Sequence, residues 1–133
     1  MDYPKLIVSS GTKITRTKQA ALLARDIADQ HVEFLVVISI NDGMMVMNAR
    51  IVSIGGTREA IVPISGIFKG AIIDGATGIV IVHNHPNGEM KPSKADIRTT
   101  KKIMKAGKII GISVLDSVII HGKDYRSILK DVK

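Results

Sequence analysis

Gly78-Ile79-Val80-Ile81-Val82-His83-Asn84-His85-Pro86-Asn87-Gly88-Glu89-Met90-Lys91-Pro92-Ser93-Lys94-Ala95-Asp96 is the stretch on which the reading of this chain turns. Gly78 to His83 is a short, continuous, largely β-branched apolar run, which predicts a strand buried on both faces. Pro86 and the Asn87-Gly88 pair end it abruptly. Pro92-Ser93 then opens a helix running to about Ile110. Ser93 is a good N-cap residue, and Asp96, three positions on, completes a variant capping box favoured by the helix dipole. Side chains alternate along a strand, so the imidazoles of His83 and His85 point to one side. Two neutral imidazoles make half a zinc site, with Zn–N distances of about 2.0–2.1 Å. Asp96, in the first helical turn, can face back toward the strand end as an anionic third ligand while still capping the helix. Three protein ligands leave a fourth place for water, the arrangement of a catalytic zinc rather than a structural one.

Outward from that segment the pattern is mixed α and β. Arg16 to Gln30 reads as a helix, with Ala20, Leu23, Ala24 and Ile27 at spacings of three and four. Phe34 to Ile40 reads as a buried strand, Asn41-Asp42-Gly43 as a turn, and Met44 to Ser53 as the hairpin partner. Gly55-Gly56-Thr57 breaks that strand, and Glu59 to Pro63 is expected to form a short third one. Ser65 to Asp74 suits a helix stopped by Gly75. Val114 to His121 is a further strand, and Tyr125 to Leu129 a last short one. On the late helix Ile97, Met104, Gly107 and Gly111 are expected to share the apolar face, with Ile103 and Ile110 at its far edge. Lys94, Arg98, Lys101, Lys105 and Lys108 stack on one stripe.

The chain has 133 residues, which suits one domain over 1–133. Hydrophobic residues make up 45%, excluding a disordered segment, but only 3% are aromatic, so the core rests on Ile, Val, Leu, Met and Ala. There are no cysteines, which excludes disulfides, thiolate zinc ligands and cysteine nucleophiles. No signal peptide is apparent and no apolar run is long enough to span a membrane, so a cytoplasmic location and no membrane partner are expected. The formal net charge of +7 and the basic stripe suit either a solvated face or a surface for nucleic acid or an acidic partner. No Gly-rich phosphate loop followed by Lys-Ser/Thr is present. The letters His-Asn-His invite comparison with HNH nucleases, but those spread their residues over a ββα hairpin.

His83-x-His85, followed after seven residues that begin with Pro86 by Ser93 and after two more by Asp96, resembles the core motif of the JAMM (MPN-plus) metalloproteases at every position. The wording is closest to the RadC-like branch, which it resembles in His83-Asn84-His85-Pro86, Gly88, Pro92-Ser93, Asp96-Ile97, Gly111-Ile112, Leu115-Asp116, Gly55-Gly56-Thr57 and Tyr125, over about Ile14 to Leu129. The resemblance implies an α/β (α+β) fold: a mixed, curved JAB/MPN-like sheet flanked by helices, layered as in cytidine deaminases. It implies one Zn2+ held by His83, His85 and Asp96, with Ser93 steadying the oxyanion. Glu33, just before the first central strand, takes the place of the general base. The implied activity is hydrolysis of an amide bond in a peptide or isopeptide substrate, a ubiquitin-like tail among the candidates. The alternative is a DNA-associated, repair-type binding module or nuclease-like factor using the basic face, or a scaffold without catalysis. Three departures stand out. The helix-hairpin-helix segment that RadC-like proteins often carry ahead of this domain is not seen. Ser117 stands where the pattern usually has His after Leu115-Asp116. No long insertion of the kind that grips ubiquitin is present. His31 and His121 are read as surface residues or as residues that contact the ligands without binding metal, and Asp116 as either a partner of the site or a plain strand residue.

Overall fold

A computed structural model of the chain describes residues 11–55 and 63–132. Five strands form one mixed sheet in the order β2-β1-β3-β4-β5, where β1 is Phe34–Ile40, β2 Val46–Ile54, β3 Gly78–Asn84, β4 Ser113–His121 and β5 Asp124–Ser127. The helices are α1 (Thr17–Leu23), α2 (Ile64–Asp74), α3 (Lys94–Ile110) and α4 (Leu129–Val132). β3 is central, antiparallel to β1 and parallel to β4. Every residue of β1 and β3 is buried, as their unbroken apolar runs require. Alternation divides the core in two. Phe34, Val36, Ile38, Val80, Val82, Val118 and Ile120 pack with α1, whereas Leu35, Val37, Ile79 and Ile81 pack with Ile67 and Phe68 of α2 and Ile103 of α3. The odd-numbered positions of β1 and β3 therefore face α2 and α3, and His83 continues that series. No helix among the described residues is long and apolar enough to cross a membrane.

Several expectations are corrected. The helix expected over Arg16 to Gln30 is α1 followed by a 3₁₀ turn, Arg25–Ile27. Ala24 departs from helical geometry at φ −93°, ψ 11°, and Ile27 and Ala28 donate to carbonyls only three residues back. A 3₁₀ turn brings every third residue to the same side, so Leu23, Ala24, Ile27 and Ala28 all stay buried. β2 starts later than Met44, because Asn41 Oδ1 accepts from Gly43 N and Met45 N (2.9 and 3.1 Å) and Met44 takes φ 62°. The strand expected over Glu59 to Pro63 lies outside the described residues except for Pro63, which is the N-cap of α2. Gly55 closes β2 at φ +102°, while the rest of Gly55-Gly56-Thr57 lies outside the described residues. The final strand stops at Ser127. Ile128 turns fully inward, its N–H bonded to Ser117 O at 2.8 Å, and Leu129 begins α4.

The buried face of α3 is Asp96, Thr100, Ile103 and Gly107. Gly111 is exposed and Ile110 is 42% exposed, so the face expected along Ile97, Met104 and Gly111 is turned about the helix axis. The cause is polar: Asp96 must reach the end of β3, and Thr100 reaches Ser117 Oγ at 3.3 Å. These two contacts set the rotation of the helix, and the cationic stripe faces outward.

Candidate metal centre

Backbone register brings the site together. β1 runs antiparallel to β3 with Leu35 opposite His83. Two residues further along, Glu33 lies across from His85, on the face shared by the odd-numbered positions. The strand end supplies two imidazoles, and the chain beside it supplies a carboxylate. The loop from Pro86 to Pro92 returns the chain to the N-terminus of α3, where the capping box is fully formed. Asp96 N donates to Ser93 Oγ (3.0 Å) and Ser93 N donates to Asp96 Oδ2 (2.8 Å). The same carboxylate faces the histidines, with Oδ2 3.2 Å from His85 Nε2 and Oδ1 3.4 Å from His83 Nε2. One side chain can both cap the helix and serve as a ligand, because a carboxylate has two oxygens and several lone pairs.

Glu33, His83, His85 and Asp96 each present a ligand atom, all within 4.8 Å of one another. The two Nε2 atoms face each other at 3.1 Å. His85 Nδ1 lies against Glu89 O at 2.5 Å, so donation there leaves the Nε2 lone pair facing inward, the tautomer a metal needs. Burial alone would push the His85 pKa down. The hydrogen bonds to Asp96 and to the Glu89 carbonyl, with the charges of Asp96 and Glu33, raise it instead. Burial likewise pushes the Asp96 carboxyl up, and the hydrogen bonds from His83 and His85 override it, holding it far below the usual carboxylate range.

The donor set fits a divalent cation of zinc type: two imidazole nitrogens, a buried carboxylate and a second carboxylate close by. Glu33 Oε1 is buried and has no hydrogen-bond partner, 3.9 Å from His83 Nε2 and 3.8 Å from His85 Nε2. Such an orphan is costly unless the site holds a further polar group. Ser93 stands at the rim. Together with Glu33, His85, Pro86, Asn87, Glu89, Lys91, Pro92 and Asp96 it lines an open groove of about 540 Å³. All five residues expected at the site, Glu33, His83, His85, Ser93 and Asp96, are thus brought together.

One residue around the site, Asn84, was not legible in the sequence as part of this assembly. Asn84, fully buried between the two histidines, points to the opposite face, where Oδ1 accepts from Phe34 N (2.7 Å) and Nδ2 donates to Val32 O (3.0 Å). His121 is not a ligand; its Nδ1 meets His85 O at 3.0 Å and its ring lies close to Gly88, where an added Cβ would come within 3.3 Å of Nε2. Asp116 turns away from the site. It accepts from Thr17 Oγ1 (2.7 Å), Ser127 Oγ (2.6 Å) and Ser117 N (2.8 Å), tying α1 and β5 to β4. Ser117 lies below the cluster and beside Thr100, lining with His83 and Asp96 a cavity of about 20 Å³. His31 is exposed.

A mixed α/β domain whose central strand ends in two convergent histidines, completed by an aspartate from the following helix into a cluster that could hold a metal ion, defines a JAB/MPN-type domain. Within that class, residues 14–132 match the RadC-like JAB domain, and the chain belongs to that family. It is 38% identical to a UPF0758 protein of Flavobacterium johnsoniae over 121 residues, covering 90% of this chain and 52% of that protein. A UPF0758 protein of Staphylococcus carnosus is 36% identical over 120 residues (89% and 53%), and one of Methanosarcina acetivorans 34% identical over 111 (84% and 48%). The chain spans about half the length of these relatives.

Proposed function

We propose that this domain is a zinc-dependent peptidase or isopeptidase, cleaving an amide bond in an extended segment laid along the groove beside His85. The observation that carries the reading is the convergence of Glu33, His83, His85 and Asp96 within 4.8 Å at the edge of an open groove. A zinc ion held by His83, His85 and Asp96 would supply a Lewis acid and a water whose pKa is lowered to about 7. Glu33, with its buried Oε1 free of other partners, takes the proton from the attacking water and hands it to the departing amine nitrogen. Ser93 Oγ accepts from Asp96 N, which leaves its own O–H free to donate to the oxygen of the scissile carbonyl as negative charge develops there. Pro86, Pro92 and the stems of Glu89 and Lys91 give the groove an apolar and charged lining suited to a peptide or a ubiquitin-like tail.

The test joins metal analysis to a substrate panel. Protein prepared without chelators should carry about one zinc per chain, lost in His85→Ala, and should hydrolyse members of a peptide and isopeptide panel. Glu33→Gln should keep the zinc and lose about 10²–10⁴-fold in rate. Protein that cannot be loaded with metal defeats the reading, and full hydrolysis by Glu33→Gln removes that residue from the mechanism.

A second reading concerns the outer face of α3. Lys94, Arg98, Lys101, Lys102, Lys105 and Lys108 are exposed there, while the helix's one acidic residue, Asp96, is buried in the site. This face suits a phosphate backbone. Binding of duplex DNA that weakens steeply with salt and persists after zinc removal would favour it; indifference to Lys101→Glu with Lys105→Glu would count against it.

A further inference from the structure

We infer that Asn84 is a positioning residue: it fixes Glu33 relative to the two histidines that flank Asn84 in the chain. The inference rests on the assignment of Glu33 as general base. Strand alternation sends His83 and His85 toward α3 and Asn84 toward the α1 side, so the residue between the ligands is unavailable to the metal. Its side chain is instead fully buried against the segment that carries Glu33. Oδ1 accepts from Phe34 N at 2.7 Å, and Nδ2 donates to Val32 O at 3.0 Å and to Gln30 O at 3.4 Å. Two of these groups belong to the residues immediately before and after Glu33. The Glu33 carbonyl is held separately by Gly55 N at 2.7 Å, so the backbone of Glu33 is fixed on both sides.

This clamp matters because Glu33 lies at the mouth of β1, one residue before the strand and two before its ladder with β3. The pairing of β1 with β3 ends at Leu35 opposite His83. Beyond it, the Asn84 carboxamide joins the backbone on either side of Glu33 to the ligand-bearing strand end. A primary amide is the group this place needs, since it accepts from an N–H and donates to a carbonyl at once. The His-Asn-His tripeptide thus has two outputs: ligands on one face of the sheet, and on the other the spacing of the base from those ligands.

The experiment compares Asn84→Ala, Glu33→Gln and the double variant in the zinc-loaded domain. Hydrolysis by Asn84→Ala should fall about 10²-fold, as expected for a misplacement near 1 Å. Zinc affinity, read by chelator competition, should change by less than about tenfold, below the roughly 10–100-fold cost of losing a partner of a ligand ring. The double variant should be no slower than Glu33→Gln alone, because both substitutions disable one group. Asn84→Asp, which keeps the acceptor for Phe34 N, should lie between wild type and Asn84→Ala and covers the case in which the alanine variant does not fold. A readout independent of turnover is the side-chain carboxyl ¹³C signal of Glu33 and the exchange rate of the Phe34 amide. Both should change in Asn84→Ala or Asn84→Asp while the ring signals of His83 and His85 hold. Multiplicative loss in the double variant, or a Glu33 signal unmoved by either substitution at Asn84, would overturn the inference. If wild type hydrolyses nothing, the peptidase reading fails, and the two spectroscopic readouts still decide the role of Asn84.

Discussion

Metal removal should cost this domain a predictable share of its thermal stability. The perturbation is exhaustive chelation, with His85→Ala as its genetic counterpart. The candidate ligand atoms already converge in the folded chain, so under the proposed function zinc would bind the native state far more tightly than the unfolded chain. At free zinc of about 100 times the dissociation constant, the native state gains about 2.7 kcal/mol. For 133 residues the unfolding entropy is about 0.28 kcal/mol/K, which makes the expected shift in Tm about 10 °C. The pH dependence has a defined sign. His85 would bind metal as the neutral imidazole; burial pushes its metal-free pKa down, and the hydrogen bonds to Asp96 and the Glu89 carbonyl raise it overall. Protons therefore compete with zinc from a higher pH than for an ordinary histidine, and the zinc-induced shift should grow as pH rises through and above that raised value. Without metal, the His85 contribution to stability is fully present below about 6.5 and fades as pH climbs through the raised pKa. The Asp96 contribution is present above about 3.9 and fades as pH falls through its lowered pKa. The metal-free protein should be most stable between those limits, and the zinc-bound protein should extend that plateau upward. Scanning calorimetry with and without chelator at several pH values is the assay. Identical melting of chelated and loaded protein, or a zinc shift undiminished in His85→Ala, would refute the assignment of the ion to this cluster.

Three further expectations concern the frame around the site. Arg50 reaches from β2 to the last turn of α2 and holds Asp74 through two bonds of 2.6 and 2.7 Å, lying where a Cβ on Gly70 would collide with its guanidinium. The hydrogen bond to Arg50 holds the Asp74 carboxyl below its ordinary range, so this contribution is present above about pH 3.9 and is lost as pH falls through the lowered pKa. Arg50→Met should cost about 1–2 kcal/mol in urea denaturation at neutral pH and flatten the acid limb of the stability profile; an unchanged limb counts against the pair. Gly107→Ala should destabilise by about 1–3 kcal/mol despite the better helix propensity of Ala, because its Cβ would sit 2.4 Å from Ile112 O; a gain in Tm would contradict this. Asp116→Ala strands the Thr17 and Ser127 hydroxyls and should cost about 2–4 kcal/mol while leaving zinc stoichiometry at one; metal loss without destabilisation would instead make Asp116 part of the centre.

Short-range pattern was enough to locate several parts of this protein. The unbroken apolar runs of β1 and β3, the Gly75 stop after α2 and the Ser93 cap of α3 are local statements, and each stands where periodicity and turn chemistry place it. The pairing of His83 with His85 follows from strand alternation, and the reach of Asp96 from its place in the first turn. The tertiary structure alone decided which face of α3 is buried, because Asp96 and Thr100 are recruited inward by partners on β3 and β4 that are remote in sequence. It also decided that the α1 region tightens into a 3₁₀ turn and that Asp116 braces α1 and β5 instead of the metal centre. The place of Glu33 came only from a motif resemblance. Its geometry depends on an antiparallel register and on the Asn84 clamp, two long-range facts no local pattern carries. Strand periodicity tells which side of a ribbon a residue takes, but only the neighbouring strand tells what it meets there.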